Sequence, residues 1–167
     1  MPVSAHHYYL LQELRKNPSA EWVSATVVSK DRSSYRLPGA MMLVDSDGHS
    51  VGLVSGGCLE ADIRLNARKV QAFQQARCIL YDSMDEANIA AELGLGCNGR
   101  VEILVQALAP AHRQLLLHLL DRMQAGKTSF LLHCLRTDDP DDLNALILLD
   151  ETGSPINNAT QIVVPGI

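Results

Sequence analysis

Two cysteines of this 167-residue chain stand among glycines, where a thiol can meet a ligand. Cys58 follows a Gly-Gly pair and precedes Glu60, at the point where a strand pattern gives way to a helix pattern. Glycine lets the backbone turn sharply and lets a ligand approach closely, and the first amides of a helix attract anions. A helix start also lowers the pKa of a thiol, whereas the carboxylate of Glu60 opposes that effect. Ser55–Glu60 is therefore a candidate binding loop, with a plain strand-to-helix turn as the alternative.

The second glycine-flanked cysteine, Cys97, lies in the loop Gly94–Gly99 ahead of an apolar strand pattern. Asn98 beside it tolerates a left-handed backbone. A glycine helix end followed by a bulge is the alternative interpretation. Two such cysteines in one small chain favour a shared site, so we expect Cys58 and Cys97 to lie in or beside the same cleft.

The other reactive side chains carry weaker signals. Cys78 and Cys134 lie in strand-like runs and are expected to be small buried hydrophobic residues. Arg36, just before a Pro-Gly turn, is able to bind a phosphate, and a solvated arginine is the alternative. The histidines lack metal-ligand spacing, and His6-His7 is expected on the exposed surface of the first helix. Neither a dinucleotide fingerprint nor a P-loop occurs in the sequence.

Hydrophobic periodicity predicts the elements that position these loops. An N-terminal helix ends at Asn17-Pro18, and a polar loop covers Lys30–Leu37. Strands are predicted near 22–28, 40–44, 49–54, 78–81, 101–105, 129–135 and 145–149, with helices near 58–76 and 110–126. The apolar stripe of the helix after Cys58 consists of Leu59, Ile63, Ala67, Val70 and Phe73. The tight turn Asp45–Gly48 predicts a hairpin.

These elements predict an α/β fold, in which helices cover a mixed sheet with hairpins in a single compact domain over 1–167. The motifs occupy about 22–108. The remainder, 109–167, holds a helix and a candidate second strand-loop-strand unit, because Ala145–Ile156 echoes Ala40–Val51. Two hairpins that merely share turn chemistry would explain this echo, and a duplicated unit within one sheet is the alternative.

Composition excludes several classes of function. The net charge of −5 and the 4% aromatic content argue against nucleic acid binding. The longest apolar runs are too short to cross a membrane, and the first residues show no secretory signal. We therefore expect a cytoplasmic protein with free thiols, whose partner is a protein or a small ligand.

Taken together, the motifs resemble those of the xanthine dehydrogenase accessory factor family (XdhC/CoxI). Ser34–Met42 resembles its SxRxPGAxM segment, Ser55–Glu60 its SGGC(V/L)E signature, and Gly94–Gly99 its GLGC(G/N)G loop. Asn98 stands where many members carry glycine. Most members also have a C-terminal Rossmann-like domain, which this sequence does not contain.

The resemblance implies a maturation factor that binds the molybdenum cofactor, supports its sulfuration with a cysteine desulfurase, and passes it to a xanthine dehydrogenase-type hydroxylase. A non-enzymatic chaperone is expected, because neither cysteine motif contains a placed general base. A thiol-dependent sulfur-transfer or redox enzyme and a docking scaffold without cofactor remain alternatives, and a homodimer remains open. The expected cofactor-binding residues are Arg36, Gly39, Ser55, Gly56, Gly57, Cys58, Glu60, Gly96, Cys97, Asn98 and Gly99, with Cys58 and Cys97 as candidate molybdenum contacts.

Overall fold

The computed structural model describes residues 5–32, 36–85, 88–89, 99–133 and 146–156, which form helices and strands. Contacts divide the chain into two compact units, one formed by Met1–Leu10 with Ser19–Ala107 and the other by Leu11–Pro18 with Leu108–Ile167. In chain order the elements are α1 (Ala5–Lys16), β1 (Trp22–Arg32), β2 (Met41–Asp45), β3 (Ser50–Gly52), α2 (Glu60–Phe73), β4 (Arg77–Asp82), β5 (Gly99–Ala107), α3 (Pro110–Gln124), β6 (Phe130–His133) and β7 (Leu146–Leu149).

The first unit is built on a five-stranded sheet in the order β3-β2-β1-β5-β4. Each of its described strand pairs is antiparallel, from β3 with β2 to β5 with β4. The α/β class and a sheet with hairpins are thus confirmed, and antiparallel pairing accounts for all of the described sheet.

Strand β1 is longer than its sequence pattern predicted. The strand continues to Arg32, although a polar loop was expected from Lys30. A register shift between Val27 and Ser29 makes Val28 a bulge, so the inward-outward alternation restarts one residue later. This break in alternation hid the second half of the strand, in which Ser29 pairs with Glu102 of β5.

One face of the sheet packs against α2 to form the core of the first unit. From α2 and its first turn come Leu59, Ile63, Ala67 and Val70, all at most 2% exposed, and the sheet contributes residues such as Val23, Val27 and Ile103. The predicted apolar stripe is therefore confirmed at these four positions. Its fifth member is a correction, because Phe73 is 73% exposed in the last turn of α2.

The second unit contains α3, the hairpin-like pair β6–β7 and the C-terminal half of α1. Helix α3 begins at Pro110 and its last turn is followed by Gly126, as predicted. The guanidinium of Arg113 donates to the carbonyls of Leu14, Asn17 and Pro18 at 2.7, 2.6 and 2.7 Å, and so satisfies the end of α1. Among the described residues, no helix is long and apolar enough to cross a membrane.

The similar segments Ala40–Val51 and Ala145–Ile156 contain the same turn geometry. Asp45 Oδ1 accepts from the amides of Asp47 and His49 at 3.0 and 2.8 Å. Asp150 Oδ1 accepts from the amides of Thr152 and Ser154, both at 2.9 Å. Because β2–β3 and β6–β7 belong to different sheets, a duplication within one sheet is wrong, whereas the shared turn chemistry is confirmed.

The buried position of Leu59 gives a first prediction. Leu59→Ala should lower the free energy of unfolding by about 2–5 kcal/mol, because it leaves a cavity in the core. Urea denaturation measures this change. Leu65→Ala is the matched control on the same helix, where the leucine is 55% exposed, and it should change stability by less than about 0.5 kcal/mol. Equal losses in the two variants would contradict the packing of α2 described above.

Candidate functional site

The strands next to the three sequence motifs run toward one end of the five-stranded sheet. Because the sheet is antiparallel, β1 ends at the end of the sheet where β2 and β5 begin. The levels differ, since Arg32 at the end of β1 pairs with Gly99, whereas Met41 pairs with Thr26, six positions earlier on β1. Gly52, at the end of β3, pairs with Met42, so the loop that leads to Cys58 leaves from this end of the sheet as well.

A hydrogen-bond network between Ser55 and Glu60 shapes the loop that carries Cys58. Ser55 Oγ accepts from the amides of Gly57 and Leu59 at 3.0 and 3.2 Å, and donates to Glu60 Oε2 at 2.5 Å. Glu60 Oε1 in turn accepts from the amides of Val54 and Ser55 at 3.2 and 2.9 Å. Ser55 Oγ thus occupies two amides that lie just ahead of α2. Helix α2 begins at Glu60, two residues later than predicted.

The carboxylate of Glu60 is ionised although the residue is only 5% exposed. Burial alone would raise its pKa, but the hydrogen bonds from the side chain and amide of Ser55, and from the amides of Glu60 and Val54, outweigh burial. Its pKa therefore lies below the ordinary value for glutamate. This buried negative charge lies two residues from Cys58 along the chain.

Cys58 lies half-buried at the edge of the core, with a free thiol. Its Sγ is 3.8 Å from Ser55 Oγ. The adjacent Gly57 has φ +116°, a conformation that favours glycine, and a Cβ atom placed there would meet no atom within 4 Å. The cysteine thus packs partly against the core and lies beside an exposed glycine with open space around it.

The third motif is anchored where β5 begins. Ser83 Oγ donates to the carbonyl of Gly99 at 2.9 Å and accepts from its amide at 3.0 Å. Gly99 is buried as the first residue of β5, rather than part of an open loop. Gly96, Cys97 and Asn98 lie outside the described residues, so the shared cleft of Cys58 and Cys97 stays a prediction. The same holds for Cys134.

The turn after Arg36 is held by the first helix. Arg36 is half-buried, and Gly39 adopts φ +90° with its amide donating to the carbonyl of Val27 at 2.7 Å. His7 Nε2 donates to the carbonyl of Gly39 at 2.7 Å, and His6 Nε2 to that of Met41 at 2.9 Å. The expectation that these histidines are merely solvated is therefore wrong. Burial lowers the pKa of His7, with the charge of His6 adding to the effect and the bond to Gly39 opposing it.

Two further groups were missed by sequence reasoning. Tyr81 is fully buried and donates through its hydroxyl to Asp62 Oδ2 at 2.6 Å, which ties α2 to β4. Burial, this hydrogen bond and the nearby charges of Asp62 and Glu60 raise the pKa of Tyr81 far above its ordinary value, so it stays neutral. Cys78 lies on β4 as expected but is exposed rather than buried, with Sγ 3.2 Å from Glu102 Oε1. In both cases the contact joins strands or helices far apart in sequence.

One group of possible metal ligands occurs among the described residues. Asp45, Asp47 and His49 bring ligand atoms within 4.8 Å of one another. Their spacing of two residues follows from the β2–β3 turn, whose amides already use the Oδ1 atom of Asp45. The turn itself accounts for this arrangement.

The family match found by comparison with known proteins includes two of the three motifs, Ser34–Met42 and Ser55–Glu60. The model of the XdhC and CoxI family matches residues 17–82. The chain is also 32% identical over 107 residues to a probable xanthine dehydrogenase subunit from Bacillus subtilis (strain 168), and 32% identical over 105 residues to the molybdenum cofactor insertion chaperone PaoD of Escherichia coli (strain K12).

A crystal structure of a xanthine dehydrogenase from Bacillus halodurans shares the fold of this chain. The two superpose with a TM-score of 0.73 at 32% identity, over 90% of this chain and 44% of the other. The alignments with the two curated relatives cover 64% and 63% of this chain but only 32% and 31% of those proteins. The chain thus matches about a third of the length of either relative.

The ionised Glu60 gives a prediction about acid stability. A carboxylate whose pKa is lower in the folded state adds stability above its unfolded pKa, and this stability is lost as pH falls through the folded pKa. Glu60→Gln should therefore be less stable than wild type near neutral pH, and the gap should narrow below about pH 4. Urea titrations across this range measure the gap. Glu21→Gln, an exposed control, should show a small gap that changes little, and a constant gap for Glu60→Gln would contradict the network.

The contact of His7 with the turn at Gly39 gives a further prediction. His7→Leu removes the donor to the carbonyl of Gly39, so the amide of Gly39 should exchange its hydrogen roughly threefold to tenfold faster. Amide hydrogen exchange followed by NMR measures this rate. His7→Gln, whose amide can donate in place of the ring, is the matched control and should restore slow exchange. Equal rates in all three proteins would show that His7 does not hold the turn.

Proposed function

We propose that this chain serves the maturation of a molybdenum hydroxylase of the xanthine dehydrogenase type, by holding the molybdenum cofactor as cargo. Similarity to a molybdenum cofactor insertion chaperone and to a probable subunit of a xanthine dehydrogenase supports this assignment. The single observation that carries it is the geometry of Cys58, a half-buried thiol beside an exposed glycine with open space around it, in the loop between β3 and α2.

The donors in this loop suit a soft metal better than a phosphate. A cysteine sulfur is a ligand that thiophilic metals prefer, so Cys58 is the proposed contact for the molybdenum end of the cofactor. The amides of Gly57 and Leu59 already bond Ser55 Oγ, and the charge of Glu60 lies behind them. We therefore assign the phosphate of the pterin to Arg36 at the turn held by His7, rather than to the start of α2.

Sulfuration is the finer part of the proposal. A cysteine desulfurase would supply sulfur to the cofactor while this chain holds it, and the chain would then pass the cofactor to the hydroxylase. A carrier is favoured over a thiol enzyme, because neither cysteine motif contains a placed general base. The role of Cys97 as a second contact belongs to the same proposal.

The proposal is tested by cofactor retention. Purified chain is incubated with molybdenum cofactor under argon, and gel filtration with pterin fluorescence measures how much stays bound. Cys58→Ala should lose most of the bound pterin while its stability changes by less than about 1 kcal/mol, because the thiol lies at the edge of the core. Cys78→Ala is the matched control, since this exposed cysteine lies on β4 away from the motifs, and it should retain cofactor like wild type.

Two outcomes would contradict the proposal. If wild-type chain elutes without pterin, the chain is not a cofactor carrier. If Cys58→Ala retains pterin and supports hydroxylase activity like wild type, the glycine-cysteine loop is structural, and a docking scaffold explains the family similarity better.

A further inference from the structure

The outward face of α2 carries large apolar side chains that the unit does not bury. Leu65 is 55% exposed and Phe73 is 73% exposed, on a helix whose opposite side packs against the sheet. Between and beside them lie Ala61 and Ala72, both exposed. Residues 61, 65 and 72 follow helical spacing, so they line one stripe opposite the core-facing Ile63, Ala67 and Val70. We call this surface the α2 face.

The α2 face is also cationic. It includes Arg64, Arg68 and Lys69, and none of the three makes an ion pair or hydrogen bond to another described residue. By contrast, Arg15, Lys16 and Arg122 in the second unit are paired with carboxylates.

The acidic residues of α2 do not neutralise this surface. Glu60 is buried in the Ser55 network. Asp62 accepts from the hydroxyl of Tyr81 and from the side-chain amide of Asn66. A local cluster of cations therefore stands on a chain whose net charge is −5. Neither carboxylate bonds one of the three cations, and Nη2 of Arg68 lies near Gly48 of the β2–β3 turn.

We propose that the α2 face docks an acidic surface of a partner protein that has apolar side chains at its centre. Phe73 and Leu65 supply apolar anchors, the two alanines allow close approach, and the cations select and steer a partner of opposite charge. Resting on the proposed function, this partner is the hydroxylase that receives the cofactor. The docked hydroxylase would border the loop of Cys58, because Leu65 lies only about 8 Å along the helix axis from the start of α2.

The same features disfavour other occupants. A membrane-binding helix buries a continuous apolar face. The core-facing side of α2 is already packed against the sheet, and the α2 face offers only two separate large apolar side chains. A nucleic acid requires more cations than three on a chain that is acidic as a whole. A second copy would bring its own three cations against these if α2 packed on α2, and like charges repel.

The test measures binding to the immobilised apo form of a xanthine dehydrogenase-type hydroxylase from the same organism, by biolayer interferometry. Phe73→Ala should weaken binding roughly tenfold or more, as expected for an aromatic anchor. Lys69→Glu should slow association, and its binding should depend less on salt between roughly 50 mM and roughly 500 mM NaCl. Phe130→Ala and Lys127→Glu are matched controls outside the first unit, with both residues exposed, and should bind like wild type.

Each outcome bears on the docking proposal separately from cofactor binding. All four variants should retain pterin in the gel-filtration assay, so loss of hydroxylase binding with retained pterin supports docking. If wild type holds no pterin but Phe73→Ala still loses the hydroxylase, docking stands and the proposed function fails.

Three results would overturn the proposal. Phe73→Ala and Lys69→Glu could bind the hydroxylase as wild type does. Wild type, but not these variants, could sediment with phosphatidylcholine-phosphatidylserine vesicles, which would assign the face to a membrane. Light scattering could show a wild-type dimer that the two variants dissociate, which would assign it to a second copy.

Discussion

The carboxylate of Glu60 ties the candidate loop to the core of the first unit. It is buried at the start of α2, and it stays charged because the amides of Val54 and Ser55 and the hydroxyl of Ser55 all donate to it. A buried charge without such partners costs several kcal/mol, so the loop must keep this shape whenever α2 is docked on the sheet. The apolar packing of Leu59 and Ile63 therefore fixes, through one carboxylate, the position of Cys58.

The start of α2 is held from two sides of the sheet. Glu60 bonds the segment that follows β3 at one edge, and Asp62 bonds Tyr81 of β4 at the other edge. The helix crosses the intervening strands with Ile63, Ala67 and Val70 in the core. A helix anchored in this way has little freedom to rotate, and its outer residues, including Leu65 and Phe73, are presented to solvent in a fixed arrangement.

Much of this architecture could be predicted from the sequence, because its signals are local. Periodicity located α2 and α3 to within a few residues, Asp45–Gly48 identified its turn, and the glycines around Cys58 located the loop. The misses arose where distant parts of the chain decide the outcome. His7 bonds Gly39 across 32 positions, and Ser83 bonds Gly99 across 16. No local sequence pattern predicts such contacts. The bulge at Val28 also obscured the second half of β1, which pairs with the start of β5.

The two parts of the candidate site close over very different lengths of chain. The Ser55–Glu60 network lies within seven consecutive residues and can form early, as a local turn. Arg32 meets Gly99 only after a closure of 67 positions, and long closures are slow. The candidate loop of Cys58 therefore depends on local closure, whereas the start of β5 depends on a pairing between distant parts of the chain.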